Sequence, residues 1–307
     1  MHILIAEFMD TPAVDRLRAA HDVTYDPSLV DHPPRLLQLA GTADALIVRN
    51  RTQVRGELLA ALKRCRVIGR LGVGLDNIDV AGCEARGMRV IPATGANALS
   101  VAEYVLTSAL VLLRGAYLST PAVVAGQWPR QALSSGREAA GKTLGLIGFG
   151  AIGQLTARMA LGLGLRVVAF DAMMDADHPA FADGSVACVG LDELIQTADV
   201  VSLHVPLVDS TRGLFNAGRI AAMKPGAVLV NTARGGIVDD AALAAALKSG
   251  HLGGAAIDVF AVEPLPASAH FQDCPNLLLT PHVAGVTAEA NERVSAMIAE
   301  KVLETLA

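Results

Sequence analysis

The sequence predicts an α/β protein of two domains, each a parallel β-sheet with helices on its faces. Three observations predict it. Short apolar runs of strand length alternate with helical segments from end to end, which is the pattern of parallel strands joined by helical crossovers. The 307 residues suffice for two domains of ordinary size. Hydrophobic residues make up 52% of the chain and charged residues 18%, so two cores can be filled and disorder as the main state is excluded.

The first series opens with His2–Phe8, an apolar run that ends in an acid. Thr11–Ala20 follows as a helix, with a Pro at its second position, apolar residues at helical spacing and Thr11 as its cap. Strands are expected at Val23–Tyr25, Ala45–Arg49, Arg66–Arg70 and Arg89–Ile91, with helices at Pro34–Ala40, Gly56–Lys63 and Asp79–Arg86 between them. A boundary falls near Asn97. A long, mostly apolar helix runs from Ala98 to Arg114, and the stretch from Ala125 to Gly141 reads as loop. The second series begins at Lys142, with strands at Thr143–Ile147, Arg166–Phe170, Val200–His204, Ala227–Asn231, Gly254–Val259 and Leu277–Thr280. A last helix, Thr287 to Leu306, is expected to pack back on the first domain.

Several function classes are disfavoured. The longest apolar run, Val101 to Leu113, is broken by Glu103, Tyr104, Thr107 and Ser108 and falls short of the roughly 18 apolar residues of a membrane span. The N-terminus lacks the basic and small-residue features of a signal peptide, so a soluble cytoplasmic protein is expected. Cys65, Cys83, Cys188 and Cys274 are dispersed without a CxxC pair, which predicts free thiols and no metal site. A net charge of −5 argues against nucleic-acid binding.

The segment Lys142 to Asp171 carries the nucleotide signal: Gly148-Phe149-Gly150-Ala151-Ile152-Gly153 follows an apolar strand and opens a helix. In such a unit Gly148 permits the tight turn, Gly150 lets the backbone approach a pyrophosphate, and Gly153 permits close helix–strand packing. The helix N-terminus supplies N–H donors and a positive dipole. Asp171, 18 residues past Gly153, sits where a carboxylate takes the adenosine ribose and repels a 2′-phosphate; this predicts NAD rather than NADP.

Ligands of open parallel sheets lie at the carboxyl ends of the strands. Applied to the second series, that rule selects Arg234, Glu263 and His282. Hydride transfer to a 2-keto acid needs this set. His282 handles the hydroxyl proton, Glu263 fixes the imidazole tautomer and raises its pKa, and Arg234 holds the carboxylate and polarises the keto oxygen. Each could singly be a turn residue or a surface charge; three together on strand ends point to the chemistry.

At this point a family is recognisable. The stretches GRLGVGLDNID (69–79), GKTLGLIGFGAIG (141–153), SLHVPL (202–207), MKPGAVLVNTARGGIVDDAAL (223–243), AIDVFAVEPLP (256–266) and LTPHVAG (279–285) carry the likeness. Over nearly its whole length the chain resembles the D-isomer-specific 2-hydroxyacid dehydrogenases. The resemblance implies a Rossmann doubly wound NAD-binding domain (98–285) inserted in a smaller flavodoxin-like α/β substrate domain (1–97 and 286–307). It implies Arg234, Glu263 and His282 as catalytic residues. Cofactor contacts carried over fall on Gly148, Gly150, Ala151, Ile152, Gly153, Asp171, His204, Val205, Pro206, Thr211, Thr232, Ala233, Arg234, Asp258, His282, Ala284 and Gly285. Backbone N–H groups of Leu71, Gly72, Val73 and Gly74 would receive the substrate carboxylate, and a homodimer would form through about 98–140.

Within the family the first domain is most similar to 3-phosphoglycerate dehydrogenases, because Arg49 and Arg70 match positions that bind a distal phosphate there; Arg51 adds a third positive charge nearby. Asn50 replaces the usual small Ser, and the stretch after His282 reads GVTAEANERV. The sequence ends at Ala307, so no C-terminal regulatory domain is expected. A 3-sulfolactate-like substrate and a hydroxypyruvate or glyoxylate reductase stay open. So does an NAD-sensing corepressor, a binding protein of the same fold. Formate dehydrogenase is disfavoured, since it has a Gln where this chain has Glu263.

Overall fold

Strands buried on both faces read as continuous apolar runs, and those of this chain assemble into two all-parallel sheets. The computed structural model describes residues 1–267 and 270–307. The chain divides into unit 1, Met1–Asn97 with Val286–Ala307, and unit 2, Ala98–Gly285.

Unit 1 contains β1 (His2–Ile5), α1 (Thr11–Arg18), β2 (Asp22–Tyr25), α2 (Pro33–Ala40), β3 (Ala45–Val48), α3 (Gly56–Ala61), β4 (Val67–Arg70), α4 (Val80–Glu84) and β5 (Arg89–Pro92). Its sheet order is β2-β1-β3-β4-β5, the flavodoxin-like order. Alternate residues serve opposite cores. Ile3, Ile5, Ala45 and Ile47 pack with Val14 and Leu17 of α1, while Leu4, Leu46, Val48 and Ile68 pack with Leu36, Leu58 and Leu59 of α2 and α3. The closing helix, α11 (Ala288–Leu306), lies on the α1 side through Val294, Ile298 and Val302. Gly69 of β4 admits it: a Cβ there would stand 2.7 Å from the Ile298 side chain. Thr287 caps α11 by accepting the Ala290 N–H. The cap of α1 is Asp10 and not Thr11, which is the helix's first residue.

Unit 2 contains α5 (Ala98–Arg114), α6 (Thr120–Val124), β6 (Thr143–Ile147), α7 (Ala151–Gly162), β7 (Arg166–Phe170), β8 (Val186–Cys188), α8 (Leu191–Thr197), β9 (Val200–Leu203), α9 (Ala217–Ala222), β10 (Val228–Asn231), α10 (Asp240–Lys248), β11 (Gly254–Ile257) and β12 (Leu277–Leu279). Its sheet runs β12-β11-β10-β9-β6-β7-β8, the Rossmann order with an added edge strand. The strand order reverses between β6 and β9, so the carboxyl ends of those two strands mark the switch point where a ligand belongs. One face packs on α5 and α7 through Leu144, Leu146, Val228 and Val230. The other packs on α8 and α10 through Val201, Leu203, Leu229 and Ile257. Sequence periodicity missed β8, a three-residue edge strand bonded only to β7. The stretch after α5 holds the short helix α6 before the loop.

Among the described residues no single helix is long and apolar enough to cross a membrane. A bent pair that includes α5 passes by length and composition, but much of α5 is buried within unit 2.

Candidate active site

The glycine loop sits between β6 and α7, and each glycine has its own steric reason. Gly148 has φ +95, and a Cβ there would lie 2.5 Å from the His204 carbonyl oxygen at the end of β9. Gly153 packs its α-carbon on the Gly148 carbonyl, 2.4 Å from where a Cβ would be. A Cβ on Gly150 would meet no protein atom within 4 Å. Protein packing therefore dictates the first and third glycines, whereas the second leaves open the space where a phosphate can touch the N-terminus of α7. Asp171, just past β7, accepts the Phe149 N–H at 2.7 Å and the Met173 N–H at 2.9 Å. A carboxylate has about four acceptor sites, so the group that ties down the loop can still accept from ribose hydroxyls.

His204 continues the pairing of β9 with β6, its N–H donating to the Ile147 carbonyl. Desolvation pushes its imidazole down to about 4, so it is neutral at pH 7. Its Nε2 lies 3.0 Å from Ser202 Oγ. Val205 and Pro206 follow it at the switch point. The Thr211 hydroxyl braces the same turn, donating towards the Pro206 carbonyl and accepting the Val208 N–H. Thr232, after β10, has a buried Oγ1 with no hydrogen-bond partner among the described residues. A buried orphan hydroxyl at the end of β10, two strands from the open cradle at the N-terminus of α7, fits an extended dinucleotide.

Asp258, buried at the end of β11, organises the loop that carries His282. Its Oδ1 accepts from the Thr280 hydroxyl at 2.6 Å and the Val283 N–H at 2.8 Å, and its Oδ2 accepts the Ala284 N–H at 2.9 Å. The His282 N–H donates to the Asp258 carbonyl, and the residue takes a left-handed φ of 56. His282 Nδ1 lies 2.7 Å from Glu263 Oε2, while Glu263 Oε1 accepts the Phe260 N–H at 2.9 Å. A carboxylate only accepts, so the Nδ1 proton points to Glu263. Nε2 is left to exchange a proton with a ligand.

Arg234 leaves the sheet one strand away, after β10. Asn231 shapes its loop: the amide Nδ2 donates to the Arg234 carbonyl, and Oδ1 accepts the Ala233 N–H, both at 3.0 Å. The Arg234 guanidinium donates to the Ala233 carbonyl at 2.6 Å. Gly235, which the sequence reading passed over, joins this loop to the next. A Cβ there would stand 1.9 Å from the Phe260 carbonyl carbon, so the Arg234 loop and the loop leading to Glu263 touch backbone to backbone. The structure thus brings Glu263 and His282 into contact and packs the Arg234 loop against the segment before Glu263. Ala284 spends its N–H on Asp258, and Gly285 ends unit 2.

In unit 1, Val48 and Arg70 are register partners in β3 and β4, so Arg49 and Arg70 emerge at neighbouring strand ends. Arg49 donates to Asn291 Oδ1 at 2.7 Å and lies 5.7 Å from the Phe8 ring centroid. Burial lowers its pKa, and the Glu7 charge opposes that. Buried Glu7 accepts the N–H groups of Arg49, Arg51 and Thr52, which fixes the loop. Arg51 instead pairs with Asp31 on the surface, so its charge is already engaged. The Arg70 guanidinium donates to the Leu71 carbonyl and covers Gly72. Leu71 and Gly72 are corrected as carboxylate donors. Sheet pairing extends one residue past β4, so the Leu71 N–H goes to the Val48 carbonyl, and the Gly72 N–H goes to the Arg70 carbonyl. Among the described residues, Val73 and Gly74 keep N–H groups with no backbone acceptor.

Residues 106–284 match the family model described as the NAD binding domain of D-isomer specific 2-hydroxyacid dehydrogenases. The chain belongs to that family. The dehydrogenase is 53% identical over 304 residues to an (S)-sulfolactate dehydrogenase of Chromohalobacter salexigens, covering 99% of this chain and 98% of that one. It is 41% identical over 274 residues to a hydroxypyruvate reductase of Thermotoga maritima, covering 88% and 87%. A crystal structure of a Thermus thermophilus protein, 34% identical, superposes with a TM-score of 0.87 over 100% of this chain and 97% of that one. The dehydrogenase is an NAD-dependent oxidoreductase of 2-hydroxy acids. Its parallel sheets and glycine loop are those of the family, and the corepressor reading gives way to an enzyme.

Proposed function

We propose that this dehydrogenase interconverts a D-configured three-carbon 2-hydroxy acid bearing a distal sulfonate or phosphate with its 2-keto acid. The observation that carries the reading is Arg49, a guanidinium fixed by Asn291 and Phe8 at a strand end next to Arg70. Two arginines on adjacent strands suit a second anion. The name of the Chromohalobacter relative supports this and agrees with the family's hand. In sulfolactate the sulfur-bearing carbon outranks the carboxyl carbon, so its (S) centre has the spatial arrangement of a D-2-hydroxy acid.

The roles then follow residue by residue. Val73 and Gly74 N–H groups receive the carboxylate, and Arg49 and Arg70 take the distal anion. Arg234 holds the carboxylate and polarises the keto oxygen, where negative charge develops. His282, protonated and held through Nδ1 by Glu263, gives its Nε2 proton to that oxygen in reduction and takes it back in oxidation. Bound NADH supplies the hydride. Gly148, Gly150, Gly153 and the first turn of α7 (Ala151, Ile152) hold the pyrophosphate; Asp171 holds the adenosine ribose. His204, Val205, Pro206, Thr211, Thr232, Ala233, Asp258, Ala284 and Gly285 line the rest of the cofactor site. We further place the chain in the cytoplasm, which suits four unpaired cysteines. It acts as a homodimer, with no metal, nucleic-acid or membrane partner.

The test is NADH oxidation at ~340 nm with 3-sulfopyruvate, 3-phosphohydroxypyruvate, hydroxypyruvate, glyoxylate and pyruvate. A dianion should be preferred. Arg49→Ala should raise KM for that dianion at least about tenfold and leave glyoxylate within about twofold. Equal effects on both, or preference for hydroxypyruvate, would remove the distal-anion site.

A further inference from the structure

We propose that Tyr104 is a positioning residue for hydride transfer, acting on His282 through Thr280 and Asp258. The inference rests on the reading of His282 as the acid–base.

Tyr104 lies on α5, remote in sequence from every residue assigned to the site. Its hydroxyl is 2.6 Å from Thr280 Oγ1, and Thr280 Oγ1 is 2.6 Å from Asp258 Oδ1. The direction of this chain is fixed by chemistry. Both Asp258 oxygens accept backbone N–H groups, as a carboxylate does, and Thr280 has one hydroxyl proton, which goes to Asp258. Thr280 must then accept, so Tyr104 donates. Burial raises the Tyr104 pKa, which keeps the phenol protonated for that task.

The chain ends on the group that shapes the acid–base loop. Asp258 accepts from Thr280, Val283 and Ala284, which flank His282 on both sides, and the Asp258 carbonyl accepts the His282 N–H. His282 stands in a left-handed conformation, which a non-glycine residue keeps only where its surroundings over-determine it. Tyr104 anchors that determination to a long helix packed on the sheet, so the imidazole is aimed from the body of unit 2 and not from the loop alone. Without the phenol, the Thr280 hydroxyl loses its donor and can rotate away from Asp258, releasing one of its three carboxylate contacts. Such a slip misplaces Nε2 by fractions of an ångström, a scale on which hydride and proton transfer lose rate.

Single-turnover stopped-flow separates this role from a merely structural one. Enzyme loaded with NADH is mixed with the preferred keto acid of the panel. The amplitude reports the competent fraction and the rate constant reports alignment. Tyr104→Phe should lower the rate constant about tenfold while amplitude and NADH affinity stay within about twofold. Thr280→Val should have at least as large an effect, Thr280→Ser should restore most of the rate, and the Tyr104→Phe/Thr280→Val double variant should be no slower than Thr280→Val. A Tyr104→Phe rate constant within about twofold of the parent, a loss of amplitude alone, or effects that multiply in the double variant would overturn the relay. His282→Asn is run beside them. If it transfers hydride at the parent rate, the acid–base reading itself is wrong; if it is inert while Tyr104→Phe is normal, only the relay is wrong.

Discussion

At the scale of the residue, one carboxylate does two jobs at the end of β7. Asp171 ties Phe149 and Met173 through their N–H groups, and the second job, holding the adenosine ribose, is the one we propose for it. Asp171→Ala should weaken NAD binding about tenfold or more, because hydrogen bonds to a charged acceptor are the stronger kind. It should also relax discrimination against NADP, since no carboxylate is left to repel a 2′-phosphate. Titrations with both cofactors decide it, and an unchanged NAD/NADP preference would refute the ribose role. His204 makes a separate prediction about pH. Its folded pKa of about 4 lies below the ordinary value of 6.5, so the unfolded chain binds the extra proton first. Stability is therefore full above pH 6.5 and falls as pH drops towards 4, with a limiting slope of about 1.4 kcal/mol per pH unit. Glu289, held below its ordinary 4.5, and Asp240, raised by burial, titrate at the acid end of this window, so the His204 contribution is read as the difference between parent and variant. Denaturant midpoints across this window should flatten in His204→Gln. A slope that survives the substitution would assign it elsewhere.

At the scale of the element, loops meet where only glycine fits, and two glycines make opposite predictions. Gly235→Ala drives a Cβ into the backbone of Phe260 and Ala261, neither of which can yield as a side chain would. It should cost about 1–3 kcal/mol and reduce turnover severely, since the Arg234 loop must move away from the Glu263 loop. Gly150→Ala meets no protein atom, so it should melt normally and lose NAD affinity. Calorimetry paired with cofactor titration tests both; a stable, active Gly235→Ala would show that the two loops move independently. This contrast also explains what the sequence revealed. Gly148, Gly150 and Gly153 were legible because their spacing marks one short strand–turn–helix unit, although the atom that Gly148 must clear is the His204 carbonyl at the end of β9. Gly235 was not, because its reason is Phe260, a residue from another strand's loop. The meeting of Glu263 with His282 was legible because both follow apolar strands. The strand β8 was not, because three residues at a sheet edge carry no period. Spacing likewise cannot show that Asp31 engages Arg51, or that pairing past β4 consumes the N–H of Leu71.

At the scale of the whole molecule, the proposed homodimer has a physical motive in the segment around and after α5. Leu110, Tyr117, Val124 and Trp128 are exposed, with Trp128 at 78% and Val124 at 83%. Apolar side chains so exposed within one short stretch are costly to leave in water and common where copies meet. Trp128 is the chain's one tryptophan, which turns the question into a spectroscopic one. Light scattering should give about twice the chain mass of 31.8 kDa. The Trp128 emission should shift to the red on dilution as the indole returns to water. Val124→Glu should favour the monomer, because a buried unpaired carboxylate opposes association while an exposed one does not. The same variant probes whether activity needs the dimer, since the assigned catalytic residues of one chain are all on other loops of unit 2. A parent protein that scatters as a monomer, with emission independent of concentration, would leave Leu110 and the segment after α5 as ordinary surface.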